Sequence, residues 1–241
     1  MKVSTSLFSS IRGIIDRLFA SAFPHSCAGC GAKDVLFCAS CEKTHKPLSP
    51  SCFICNKRSL NASICPSCKK FTDFSKFYAP FSYSNPATRE IIHRLKYRSM
   101  RQYGEIAGNL LAQAAAYYKI AFPKSSIIVP LPLHRSRLLE RGYNQSELLA
   151  KTCAEKLNIP LAPADSLIRI KNTKPQVGMK DTEARILNIK DAFRVSDATP
   201  IFKKHVILID DVATTGETLN QASRALKRAG ASSVFAITLA K

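Results

Sequence analysis

Hydrophobic and polar residues alternate along most of the chain with the periods of helices and strands. Short apolar runs such as 126–130 and 206–209 have the length of buried strands. Other segments repeat apolar residues every three to four positions, as helices with one buried face do. The predicted elements are strand 76–83, helix 86–96, helix 102–118, strand 126–130, helix 144–157, strand 167–170, strand 206–209, helix 217–229 and strand 233–239. This alternation predicts an α/β fold with a mostly parallel, Rossmann-like sheet covered on both faces.

Residues 1–24 have a different pattern, which predicts an amphipathic helix. Its apolar stripe, which suits packing on the protein or on a membrane surface, comprises Ile11, Ile14, Ile15, Leu18 and Phe19. Charged residues at positions 12, 16 and 17 disfavour a secretory signal peptide. No run in the sequence approaches the roughly 18 apolar residues of a membrane span. We therefore expect a cytoplasmic protein that is not integral to the membrane, with peripheral attachment to its inner face as an open alternative.

Eight of the nine cysteines fall into four C-x-x-C pairs, which predict metal binding. The predicted ligands are Cys27, Cys30, Cys38, Cys41, Cys52, Cys55, Cys65 and Cys68. Two such pairs complete a tetrahedral Cys₄ zinc site, so the count predicts two structural zinc ions. Adjacent pairs would form two zinc ribbons in tandem over 25–75, although interleaved pairing, disulfides and redox chemistry remain alternatives. Cys153 stands apart in a predicted helix and is expected to be a buried apolar residue.

The net charge of the chain indicates which chemical classes of partner it binds. The 36 Lys and Arg residues against 17 Asp and Glu give a formal net charge of +19. Such an excess favours polyanionic partners, namely nucleic acid, phosphorylated small molecules or an anionic membrane surface. A surface that is basic without such a partner is the less favoured interpretation.

Two adjacent carboxylates follow the apolar strand 206–209 and mark a candidate ligand site. Asp210 and Asp211 come at the carboxyl end of this strand, where open α/β sheets bind ligands. Thr214, Thr215 and Gly216 then lead into a helix whose first N–H groups can hold a phosphate. Paired acids beside a phosphate cradle suit a sugar with vicinal hydroxyls, or a divalent cation that bridges sugar and phosphates.

This segment resembles the phosphoribosyl pyrophosphate (PRPP) loop of phosphoribosyltransferases, and the wider chain resembles the ComF/GntX family of competence-associated proteins. The resemblance covers about 27–239. It rests on the four cysteine pairs and on segments 91–97, 129–135, 140–145, 169–176 and 206–218. Ala213 departs from the larger aliphatic residue of the usual loop, and Thr214 replaces an Asp that is frequent in purine-transferring relatives. The second departure makes purine salvage a less favoured function.

The resemblance implies roles for individual residues. Asp210 and Asp211 would act in catalysis and hold the ribose hydroxyls with Mg²⁺, while the loop would hold the 5′-phosphate. The implied PRPP-binding residues are Asp210, Asp211, Val212, Ala213, Thr214, Thr215, Gly216, Glu217 and Thr218, with Leu133, His134 and Arg135 on the pyrophosphate side. Segment 169–180 would be a hood that excludes water from the reacting centre. The fold implied is that of a type I phosphoribosyltransferase over 76–241, preceded by the small double zinc ribbon.

A basic segment with interleaved aromatic residues suggests nucleic-acid binding. Single strands bind to cations through phosphates and to rings through bases. The candidate contacts are Arg94, Lys96, Tyr97, Arg98, Arg101, Arg137 and Arg141. A solvated helix face with Tyr97 packed inward is the alternative.

These patterns predict a PRPP-binding, phosphoribosyltransferase-like protein. The resemblance implies that it handles incoming single-stranded DNA in natural transformation, with a competence helicase or DNA-translocation protein as a further partner. An active PRPP-dependent transferase with an unidentified acceptor and no direct DNA role is the alternative.

Overall fold

The computed structural model describes residues 26–96, 100–172 and 191–241. The predictions for helix 1–24, for Tyr97 and Arg98, and for most of segment 169–180 lie outside these residues. The chain divides into two compact units, Met1–Lys46 and Pro47–Lys241. The second cysteine group therefore belongs to the same unit as the sheet, and the boundary between residues 75 and 76 remains a prediction.

The described part of the first unit, residues 26–46, contains a cysteine-bearing turn and one short helix. A backbone bridge joins Ser26 to Lys33, and helix α1 spans Ala39–Thr44. Backbone N–H groups around the turn donate to the carbonyl of Cys27 and to its sulfur, which fixes the first pair of cysteines. Helix α1 has no buried residue, and small folds of this kind usually depend on a metal ion for stability.

The second unit is built on a four-stranded parallel sheet, as the alternation of elements predicts. Its strands are β1 (Lys76–Tyr78), β2 (Ser126–Pro130), β5 (His205–Val212) and β6 (Ser233–Ala240), in the spatial order β1-β6-β5-β2. All three pairings are parallel. Strands β3 (Leu167–Arg169) and β4 (Phe193–Val195) form a separate antiparallel ribbon.

The α-helices among the described residues of this unit are α2 (Pro86–Arg94), α3 (Gln102–Tyr117), α4 (Arg135–Arg141), α5 (Gln145–Leu157) and α6 (Glu217–Arg228). Helix α5 packs on α3 and on β2 and β5, while α6 packs on β5 and β6. Alternate residues of each strand face opposite sides of the sheet. The side that includes Val206, Leu208 and Val234 shares one core with Leu219, Ala222 and Leu226 of α6.

Strand β5, predicted as 206–209, is longer than the sequence pattern indicates. The strand continues to Val212 because Asp210 and Val212 pair with Thr238 and Ala240 of β6. Strand β1 is shorter than predicted and ends before Pro80, whose ring removes a backbone donor. No described helix is both long and apolar enough to cross a membrane.

Candidate functional site

Two carboxylates lie at the carboxyl end of β5, and each has defined partners. Ser146 Oγ donates to Asp210 Oδ1 at 2.8 Å. Asp211 Oδ1 accepts from the N–H of Val212 at 2.9 Å, and Asp211 Oδ2 lies 4.0 Å from Lys96 Nζ. Burial, and next the charge of Asp211, raise the pKa of Asp210 well above its ordinary value. The pair therefore favours a cation, a proton or a hydroxyl donor beside it.

A cleft of about 200 Å³ opens beside these carboxylates. Four cations and two carboxylates line it, so its walls are positive overall. The lining residues are Lys96, Leu131, Pro132, Leu133, Arg137, Arg141, Gln145, Arg169, Asp210, Asp211, Val212 and Thr218. Burial, and next the charge of Arg137, lower the pKa of Arg169, whose guanidinium lies over the ring of Phe193 at 5.5 Å. This cleft suits an anion on its cationic side and a polyhydroxyl group or a cation near Asp210.

Consecutive residues at the start of α5 organise the cleft. The hydroxyl of Tyr143 donates to the carbonyl of Leu95, next to Lys96. Asn144 Nδ2 donates to the carbonyl of Leu131 at 3.0 Å, while its Oδ1 caps the helix by accepting from the N–H of Ser146. Since Ser146 also reaches Asp210, this one segment ties together the end of α2, the loop after β2 and the end of β5.

The turn between β5 and α6 is packed against a residue of the second cysteine group. Gly216 precedes α6 with a φ of +76°, the left-handed region that favours glycine. A Cβ at this position would lie 2.5 Å from the ring of Phe53, which lies between Cys52 and Cys55. Lys241 Nζ donates to the carbonyl of Phe53 at 2.7 Å and lies 4.4 Å from its ring centre. Phe53 thus closes the back of the turn.

The structure brings some of the expected PRPP-binding residues together in the cleft and leaves others beside it. Asp210, Asp211, Val212, Thr218 and Leu133 line it. Ala213 is buried, Thr214 and Thr215 are exposed in the turn, and Glu217 accepts from Gln221 at 2.8 Å. His134 caps α4 through its ring nitrogen, and Arg135 is exposed on that helix.

The residues expected to bind nucleic acid are divided among three environments. Lys96, Arg137 and Arg141 line the cleft. Arg94 is engaged within the protein, at 2.6 Å from both Glu90 Oε1 and the hydroxyl of Tyr103. Arg101 is exposed and stacks on the Tyr143 ring at 5.0 Å. Tyr97 and Arg98 lie outside the described residues.

The eight paired cysteines form two clusters with adjacent pairing. One contains Cys27, Cys30, Cys38 and Cys41, and the other contains Cys52, Cys55, Cys65 and Cys68; within each, all four sulfurs lie within 4.8 Å of one another. The N–H groups of Gly29 and Cys38 donate to the sulfur of Cys27, as they would to a metal-bound thiolate. Both donor sets fit a tetrahedral zinc ion. Cys153 is buried in α5 apart from both clusters, and burial raises the pKa of its thiol to about 12.

Two parts of the site have no strong signal in the sequence. Ser146 reaches Asp210 from 64 positions away, and Gln145 lines the cleft from a helix rather than from a loop. Their only sequence signal is their place within or next to segment 140–145, which carries part of the family resemblance.

Known proteins are similar in sequence to most of this chain. The sequence model of the family described as "Phosphoribosyl transferase domain" matches residues 144–241. Competence protein F of Haemophilus influenzae is 28% identical over 89% of this chain and 90% of its own length. The DNA utilization protein YhgH of Salmonella typhi is 28% identical over 82% of this chain and 85% of its own. Competence protein ComFC of Bacillus subtilis is 29% identical over 86% of this chain and 84% of its own.

Proposed function

This chain is a relative of the ComF/GntX proteins with a phosphoribosyltransferase domain, and from that premise we propose that it binds PRPP and handles single-stranded DNA in natural transformation. The observation that carries the PRPP part is the pair Asp210 and Asp211 at the end of β5, within a cleft that also presents four cations. Carboxylates at this position suit ribose hydroxyls, and cations opposite them suit a pyrophosphate group.

In this proposal the two ends of PRPP occupy different parts of the site. Asp210 and Asp211 hold the ribose hydroxyls and a Mg²⁺ ion, because carboxylate oxygens are the ligands that this ion prefers. The turn before α6 holds the 5′-phosphate through its N–H groups and the hydroxyls of Thr214, Thr215 and Thr218. The cationic wall formed by Arg137 and Arg141 faces the pyrophosphate.

The DNA part of the proposal rests on the charge of the chain and on its relatives. The formal net charge is +19, and the relatives carry the names competence protein and DNA utilization protein. Arg89, Arg101 and Arg135 are further exposed cations among the described residues. We propose a cytoplasmic location, where a DNA-translocation protein would supply the incoming strand.

The experiment for PRPP binding is calorimetric titration of the double variant Asp210→Asn/Asp211→Asn in the presence of Mg²⁺. Loss of hydrogen bonds to charged groups, at roughly 1.5–3 kcal/mol each, predicts at least a tenfold loss of affinity. Both residues lie at a strand end and not in the core, so we expect the variant to fold. Equal PRPP binding by parent and variant would place the site elsewhere.

The alternative function is that of a transferase with its own acceptor. Assaying pyrophosphate release with and without single-stranded DNA distinguishes it from the proposed function. Multiple turnovers of PRPP would support the transferase. Binding without release would support a scaffold that uses PRPP as a ligand.

A further inference from the structure

Gln145 lies in the wall of the cleft, and its buried Nε2 has no hydrogen-bond partner among the described residues. Its side chain is part of the lining, and the residue is only 2% exposed. Within the described part of the chain, its Nε2 donates to no acceptor. A buried amide donor without an acceptor loses its hydrogen bonds to water and gains none in exchange, so folding alone does not favour it.

The residues on either side of Gln145, by contrast, have hydrogen-bond partners. Tyr143, Asn144 and Ser146 each donate a hydrogen bond to another part of the protein. Gln145, at the first position of α5, lies in the chain between these anchored residues. Its amide is therefore preorganised to meet a ligand, which is the arrangement that binding sites use to limit the entropy lost on association.

The surroundings of Gln145 indicate which ligand group it meets. Asn144 fixes the start of loop 131–133, and this loop lines the cleft together with Arg137 and Arg141. An amide donor that lines the same cleft as two guanidinium groups matches an anionic oxygen, which accepts hydrogen bonds and donates none.

We propose that Gln145 contacts the substrate directly and donates from Nε2 to an oxygen of the pyrophosphate group. This inference rests on the proposed PRPP function and extends it to a helix residue. A donor at this position discriminates against ligands that present a hydroxyl hydrogen or an apolar group there, because the amide would then stay without an acceptor.

The test measures stability and affinity of Gln145→Leu together. The substitution removes the amide with little change of volume, so we expect the melting temperature without ligand to be equal to or higher than that of the parent. The dissociation constants of PRPP and of inorganic pyrophosphate, both with Mg²⁺, should rise at least fivefold, whereas that of ribose 5-phosphate should not change. Gln145→Glu, which places a carboxylate near the pyrophosphate, should weaken binding further.

Gln221→Leu is the matched control for stability. Gln221 is also buried, at 6% exposure, but its Nε2 donates to Glu217 at 2.8 Å. Its replacement should therefore lower the melting temperature, which Gln145→Leu should not do. The inference is overturned if Gln145→Leu melts several degrees lower, or if it binds PRPP and pyrophosphate as the parent does. If the parent binds neither ligand, the proposed function is refuted as well. If the parent binds both ligands and Asp210→Asn/Asp211→Asn is impaired but Gln145→Leu is not, only the role of Gln145 is refuted.

Discussion

Asp210 illustrates how a single residue of the site affects the stability of the whole unit. Its carboxyl is buried beside a second carboxylate, and these two causes raise its pKa in the folded state. The folded chain therefore holds the proton of Asp210 more tightly than the unfolded chain does. By linkage, stability falls as the pH rises from the unfolded pKa of about 3.9 through the raised folded pKa.

We therefore expect Asp210→Asn to stabilise the protein without ligand at neutral pH. Its melting temperature should exceed that of the parent, and in a chain of this size each 1 kcal/mol of added stability raises it by about 2–4 °C. The difference should shrink as the pH falls towards 4. Thermal melts between pH 4 and pH 8 measure it, with exposed Asp165→Asn as the control. A difference that does not depend on pH would contradict the raised pKa.

A residue of the site could be predicted from the sequence only where its side chain suits ligand binding and it directly follows a recognisable strand. Asp210 and Asp211 follow an apolar strand directly, so their place at the edge of the sheet follows from the pattern alone. The hydrogen bond from Ser146 to Asp210 joins positions far apart in the chain, and it depends on how α5 packs on β5. Arg94 has the residue type of a phosphate contact, but its pairing with Glu90 and Tyr103 became visible only in three dimensions.

At the scale of elements, the second cysteine group acts as a support for the turn before α6. Phe53 is 7% exposed, packs edge-on against Phe74 and Phe77, and touches Gly216. Its position between two cysteines means that the shape of the cluster determines where its ring lies. Zinc bound there would therefore fix both the cysteine turn and the back of the proposed phosphate loop.

Phe53→Ala should accordingly impair both stability and ligand binding. Removing a buried phenyl ring costs roughly 3–5 kcal/mol. The affinity for PRPP should also fall, because Gly216 loses the ring that limits its movement. Chemical unfolding and calorimetry, the latter at a temperature where the variant is folded, measure the two effects. Phe71→Ala is the control, since Phe71 is 58% exposed in the same segment and its loss should change stability by less than about 0.5 kcal/mol. Full PRPP affinity in folded Phe53→Ala would show that the ring serves stability alone.

The elements that the sequence did not predict are those with weak burial patterns. Helix α4 has no buried residue, so it lacks the apolar periodicity from which a helix is recognised. Strand β4 has three residues and one buried side chain, too few for a period of two to be visible. The long helices α3 and α5 and the central strands, by contrast, agree with the prediction to within a few residues because their burial is extensive.

The two compact units of the whole molecule should respond differently to the loss of their cysteines. We expect two zinc ions per chain by elemental analysis, and one in Cys27→Ser/Cys30→Ser. Because metal contributes about 10–16 kcal/mol to the folding of such small units, this variant should unfold the first unit and leave the transition of the second intact. Cys52→Ser/Cys55→Ser should destabilise the sheet as well, since Cys52 and Cys68 belong to its core. Less than one zinc per parent chain, or equal effects of both variants on the sheet, would contradict this assignment.

The placement of Lys96, Arg137 and Arg141 in one cleft leads to a prediction about the two proposed ligands of the molecule. If the same cations meet DNA phosphates and pyrophosphate, PRPP with Mg²⁺ should lower the affinity for single-stranded DNA, measured by fluorescence anisotropy at 50 mM salt. Each phosphate neutralised on a single strand contributes about −0.7 to the slope of log affinity against log salt. Arg137→Ala/Arg141→Ala should therefore flatten this slope by up to about 1.4 and remove the competition. Lys124→Ala/Lys204→Ala, which removes two exposed cations just before β2 and β5 at the opposite edge of the sheet, is the matched control and should leave the competition in place. DNA affinity that does not change at saturating PRPP would show that the two ligands do not compete for these cations.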